Sequence, residues 1–96
     1  MGIKCEWNYS REDLERLGFK FDEEDEKIIR YIKTGVPAKI TSADVYYIWR
    51  KEEGYAQIEA IKKFWTPCAQ AFPSDAEIMD IAERTGLERL CFFVKE

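Results

Sequence analysis

Apolar side chains recur along this chain mostly at intervals of three and four, the spacing that gathers them on one side of an α-helix. In residues 23–34, Ile28, Ile29 and Ile32 share such a face, while Glu23 with Lys27 and Glu26 with Arg30 stand four apart as opposite charges. Asp22 precedes this segment as a cap, and Gly35 and Pro37 follow it as a stop. Thr41 with Asp44 reads as a capping box, Ile40 with Val45 as its hydrophobic staple, and Val45, Ile48 and Trp49 as an inner face that Gly54 ends. Residues 55–65 repeat the pattern with Ile58, Ile61 and Trp65 before Thr66-Pro67. Ser74 with Glu77 makes a further capping box, Ile78, Ile81 and Ala82 face inward, and Gly86-Leu87 has the form of a Schellman ending. A shorter helix over residues 11–17 opens at Ser10, with Asp13 in the capping position, and stops at Gly18.

Two stretches depart from this spacing. Ile3, Cys5 and Trp7 alternate with polar residues, which predicts a short half-buried strand. Leu87, Leu90, Cys91 and Val94 fit a helix, yet residues 90–94 are also a continuous apolar run that suits a buried strand pairing with residues 3–7. The chain therefore reads as mainly α: a bundle of four to five short helices, with a two-stranded sheet pairing the N- and C-termini left open. No repeat, linker or low-complexity tract divides it, so residues 1–96 read as one globular domain.

Charge changes this picture little. Fifteen basic and nineteen acidic residues give a net charge of -4, and the two halves of the chain share the excess evenly. No basic stripe is present to displace counterions from a phosphate backbone, which disfavours nucleic acid as a partner. Cys5, Cys68 and Cys91 share no metal-binding or redox spacing, and Phe64-Trp65-Thr66-Pro67-Cys68 lacks the first cysteine of a redox pair. Three free thiols, no leader-like N-terminus and no apolar stretch near the roughly 20 residues of a membrane span predict a cytoplasmic protein without a membrane anchor.

Histidine is absent altogether. That removes the commonest general base, the usual partner of a nucleophilic Ser or Cys, and the usual zinc ligand. The acidic run from Asp22 to Glu26 lacks calcium-loop spacing, since Lys27 and Lys33 occupy the sixth and twelfth positions, so it reads as a helix N-terminus. No catalysis, metal or cofactor is expected.

Phe72-Pro73-Ser74, Ile81-Ala82 and Gly86-Leu87 resemble the second helix and turn of homeodomain-like helix-turn-helix proteins, with Ala82 as the close-packing residue and Gly86 in the turn. The resemblance covers a quarter of the chain. It implies that residues 55–65 form the first helix and that Arg84, Arg89 and Lys95 face DNA. The family's adenine-reading Asn and basic tail are replaced here by Phe92-Phe93-Val94-Lys95-Glu96, and from Ser74 onward three basic residues face six acidic ones.

Fourteen aromatics, three of them Trp, are the remaining signal. On a helix with Val45, Ile48 and Trp49 inward, Tyr46 or Tyr47 turns outward, and a terminal segment cannot bury both Phe92 and Phe93. Exposed aromatics are typical of binding hot spots. The sequence thus predicts a small non-catalytic regulatory or adaptor protein that binds another protein chain or a second copy of itself through Tyr46, Tyr47, Phe92 and Phe93. A DNA-binding transcriptional regulator and an accessory subunit of a larger enzyme are the alternatives.

Overall fold

In the computed structural model, which describes residues 3–5, 9–38, 41–63, 70–71, 73–87 and 93–94, the chain is built on strands. In order these are β1 (Ile3–Cys5), α1 (Arg11–Arg16), β2 (Lys20–Glu24), β3 (Ile28–Ala38), β4 (Thr41–Arg50), β5 (Tyr55–Lys63), β6 (Gln70–Ala71), α2 (Asp75–Thr85) and β7 (Phe93–Val94). The expected helical bundle is overturned: three of its helices are the long strands β3, β4 and β5. All pairings are antiparallel, and the sheet runs β2-β3-β4-β5-β1-β7, with β6 beside the far end of β5. The chain ends do pair, Lys4 with Val94 and Cys5 with Phe93, as part of this larger sheet and not as an isolated two-stranded one.

Residue type explains the reversal. β3 and β4 are dense in β-branched and aromatic side chains, which lose rotamer freedom in a helix and pack well on a pleated surface. The stop signals were those of a strand. Gly35, at φ +67°, lies where the β3–β4 register slips between Lys33 and Val36, a bulge that only a permissive residue accepts readily. Pro37 follows where β2 has already ended, so β3 is there an edge strand, the place in a sheet that tolerates proline. Asp44, read as a helix cap, instead accepts the Gly35 N–H at 3.4 Å and the Lys63 ammonium at 2.7 Å.

The two helices form where caps and apolar period agree. The Ser10 hydroxyl accepts the Asp13 N–H at 3.1 Å and the Ser74 hydroxyl accepts that of Glu77 at 3.4 Å. Gly86, at φ +89°, closes α2 in the left-handed conformation, where a methyl group would sit 2.8 Å from Leu17 Cδ2.

Both helices pack on one side of the sheet. Its inner face is organised around a single cross-strand row, Tyr31–Tyr47–Ile58–Ile3, all at most 3% exposed. Leu14 of α1 and Ile78, Ile81 and Ala82 of α2 close over it in the same cluster as Val45, Ala43 and Ala60. Lys33 also lies on this face, and its ammonium donates to the Leu17 carbonyl at 2.7 Å, capping the end of α1. Arg84 of α2 donates to the Pro37 carbonyl at 3.2 Å, and Lys62 of β5 reaches Glu77 at 2.9 Å.

Ile58→Ala, at the centre of the row, is expected to lose about 2–5 kcal/mol of stability from transfer and cavity terms. Ile61→Ala, half-buried on the opposite face, is expected to lose clearly less. Urea unfolding of the two variants checks this, and equal losses would contradict the assignment of faces.

Candidate functional site

Strand alternation gives the sheet a second, outer face made of Ile28, Arg30 and Ile32 of β3, Asp44, Tyr46, Ile48 and Arg50 of β4, and Tyr55, Gln57, Glu59 and Ile61 of β5. Among the described residues, neither helix covers it. In register, Ile32 faces Tyr46 and Tyr46 faces Glu59, while Arg30 faces Ile48 and Ile48 faces Gln57. Four isoleucines and two tyrosines thus share one surface.

The polar groups between them are tied down. The Arg30 guanidinium lies 5.4 Å from the Tyr46 ring centroid, bonds Asp22 at 2.6 Å and stands 3.4 Å from Glu23. The Asp22 hydrogen bond is the main reason that Arg30 is held above even its ordinary basicity. Arg50 donates twice to Gln57 Oε1, at 3.1 and 3.0 Å, and Gln57 in turn donates to Glu59 at 3.2 Å. Ile48, flanked by Arg30 and Gln57, is only 7% exposed although no described helix lies over it. On this face the cations Lys20, Arg30, Arg50 and Lys63 are matched by Asp22, Glu23, Asp44 and Glu59.

A second feature lies on the inner face, where α1 begins. There a hollow of about 100 Å³ opens between Tyr9, Ser10, Arg11 and Leu14 on one side and Ile29, Tyr31, Tyr47 and Trp49 on the other. Tyr9 and Tyr47 stack with ring centroids 5.0 Å apart and planes within 5°. The Tyr9 N–H donates to Tyr47 Oη at 2.8 Å, and the Tyr9 hydroxyl donates to the Leu87 carbonyl. Burial holds the Tyr47 phenol well above the ordinary tyrosine range, opposed by the Tyr9 amide. At the rim, Arg11 meets Glu24 at 3.1 Å and Lys51 meets the same carboxylate at 2.9 Å. The Lys51 hydrogen bond is the largest cause of Glu24's lowered pKa.

The residues singled out in the sequence separate in space. Tyr46 is half-buried on the outer face, but Tyr47 is 1% exposed in the core and unavailable to a partner. That corrects the helical reading, in which the two are interchangeable. Phe93 lies in β7 opposite Cys5, and Phe92, Arg89 and Lys95 lie outside the described residues. Arg84 is on α2 with its guanidinium 3.1 Å from Asp80. Residues 55–63 of its expected helical partner form the strand β5. Sequence reasoning missed Arg30 and residues 9–11; alternation in β3, once recognised, points to the first but nothing local points to the second. Among the described residues no three Cys, Asp or Glu side chains converge as metal ligands, and no helix is long and apolar enough to cross a membrane. Comparison with known protein families, curated proteins and solved structures finds no match.

Tyr47→Phe deprives the buried Tyr9 N–H of this acceptor and is expected to cost about 1–3 kcal/mol in a thermal or urea melt. Tyr46→Phe, which keeps the ring under Arg30, is expected to change stability by less than about 0.5 kcal/mol.

Acid is expected to loosen the β2–β3 turn. Asp25 is held below its ordinary pKa, chiefly by the Ile28 and Lys27 N–H groups, and Glu24 is lowered as well. A lowered carboxylate contributes stability that is complete above its unfolded value and is lost as pH falls through the folded one. The melting temperature should therefore fall as pH drops below about 4.5. Asp25→Asn should make that acid limb shallower, and an unchanged limb would exclude this contribution.

Proposed function

We propose that this chain is a small non-catalytic interaction module that binds another protein chain through the outer face of its sheet. The observation that supports the reading is the gathering of Ile28, Ile32, Ile48, Ile61, Tyr46 and Tyr55 on a face that neither described helix covers, among charges that balance. Sheets of this kind can leave one face to water, and such a face is then dominated by polar residues. Here large apolar and aromatic residues stand beside Arg30, which lies over Tyr46, and Arg50, the composition enriched at protein-binding hot spots. Balanced charge on the face avoids repulsion toward a neutral or mixed partner surface, including a second copy of this chain or the larger subunit of an enzyme.

The test compares chains recovered from the native cell with the tagged protein and with its Ile32→Glu and Tyr46→Ala variants. Light scattering on the purified proteins reports self-association in parallel. Both substitutions fall on half-buried outer positions, so circular dichroism should be preserved. Loss of a specific chain, or of a dimer, from both variants is the expected result. Identical recovery and identical mass for all three proteins would overturn the proposal.

A further inference from the structure

We propose that the hollow between α1 and the sheet is a binding site for a small aromatic carboxylate, with the ring against Trp49 and Ile29 and the carboxylate on Arg11. Trp49 and Ile29 are only partly buried there, at the edge of the core, and Leu14 forms the opposite wall. At about 100 Å³ and partly open to solvent, the space suits one six-membered ring whose polar end projects outward. Larger apolar cavities of about 150 Å³ admit benzene whole.

Charge selects the polar end. Two cations, Arg11 and Lys51, serve the single carboxylate of Glu24. Asp25, the next acid along, is occupied with the Lys27 and Ile28 N–H groups of its own turn. Arg11, with a side chain 60% exposed, can therefore turn to an incoming anion while Lys51 keeps Glu24. A guanidinium offers a planar pair of donors that matches a carboxylate in a way an ammonium does not. A ring without charge would leave Arg11 unused, and a charge without a ring would leave Trp49 and Ile29 uncovered.

Titration of the full chain with phenylacetate, followed by amide and indole N–H resonances, tests the proposal, with benzyl alcohol and acetate as single-feature controls. Phenylacetate should produce saturable shifts at the Trp49 indole and around Arg11, with weaker binding of benzyl alcohol and none of acetate at this position. Arg11→Gln should weaken phenylacetate binding about tenfold, to the level of benzyl alcohol, while leaving the melting temperature and the outer-face resonances in place. Arg11→Lys should recover only part of the loss. Shifts that do not saturate, that follow acetate equally, or that persist unchanged in Arg11→Gln would overturn it.

Discussion

Tyr9 is the residue on which the arrangement of this molecule depends. Its ring stacks on Tyr47 in the middle of β4, its amide donates to the Tyr47 hydroxyl, and its own hydroxyl reaches the Leu87 carbonyl beyond α2. One side chain thereby joins the start of α1, the centre of the sheet and the segment leaving α2, which lie 38 and 78 residues apart from it in sequence. In a buried setting such bonds are strong because water does not compete, and breaking one leaves a polar group without compensation. The contact fixes both helices to the same face, so the asymmetry of the sheet follows from it.

That asymmetry organises the chemistry. Among the described residues, the inner face leaves a hollow beside the first turn of α1, where Ile29 and Trp49 are only partly buried. The outer face has no described helix over it; there Arg30 lies over Tyr46 and Arg50 bonds Gln57. Arg30 is the clearest case, since it binds Asp22, neighbours Glu23 and lies over Tyr46 at once. An arginine stem can shield apolar surface while its head stays in contact with water, and the head remains available to a partner.

The sequence disclosed the two capped helices and the short strand β1 and concealed the long strands, for a physical reason. Ser10 and Ser74 supply side-chain oxygens at helix starts, and no tertiary contact is needed to recognise them. On β3 and β4 both faces carry large apolar residues, which blurs the period of two. Ile28, Ile29 and Ile32 then satisfy a helical period by coincidence, as do Val45, Ile48 and Trp49. Their β-branched and aromatic character was the better guide, and it was outweighed by Gly35, Pro37 and Asp44, which mark a bulge, an edge and an ion pair. Of the candidate site, the aromatic surplus was legible and its partition was not. Whether Tyr46 and Tyr47 share a surface depends on a period of two or of 3.6, and the row Tyr31–Tyr47–Ile58–Ile3 exists only once four distant segments are aligned. The hollow beside Arg11 is likewise built from two segments brought together by Tyr9.

Hydroxyl-radical footprinting read residue by residue addresses the central claim, that neighbouring positions of β4 belong to opposite faces with separate roles. In the free protein Tyr46 should be modified readily, whereas Tyr47, Tyr31 and Tyr9 should stay protected until the chain unfolds. In the bound protein Tyr46 should become protected while the pattern at the other three is unchanged. Equal modification of Tyr46 and Tyr47, or protection of Tyr46 that binding does not alter, would contradict the account.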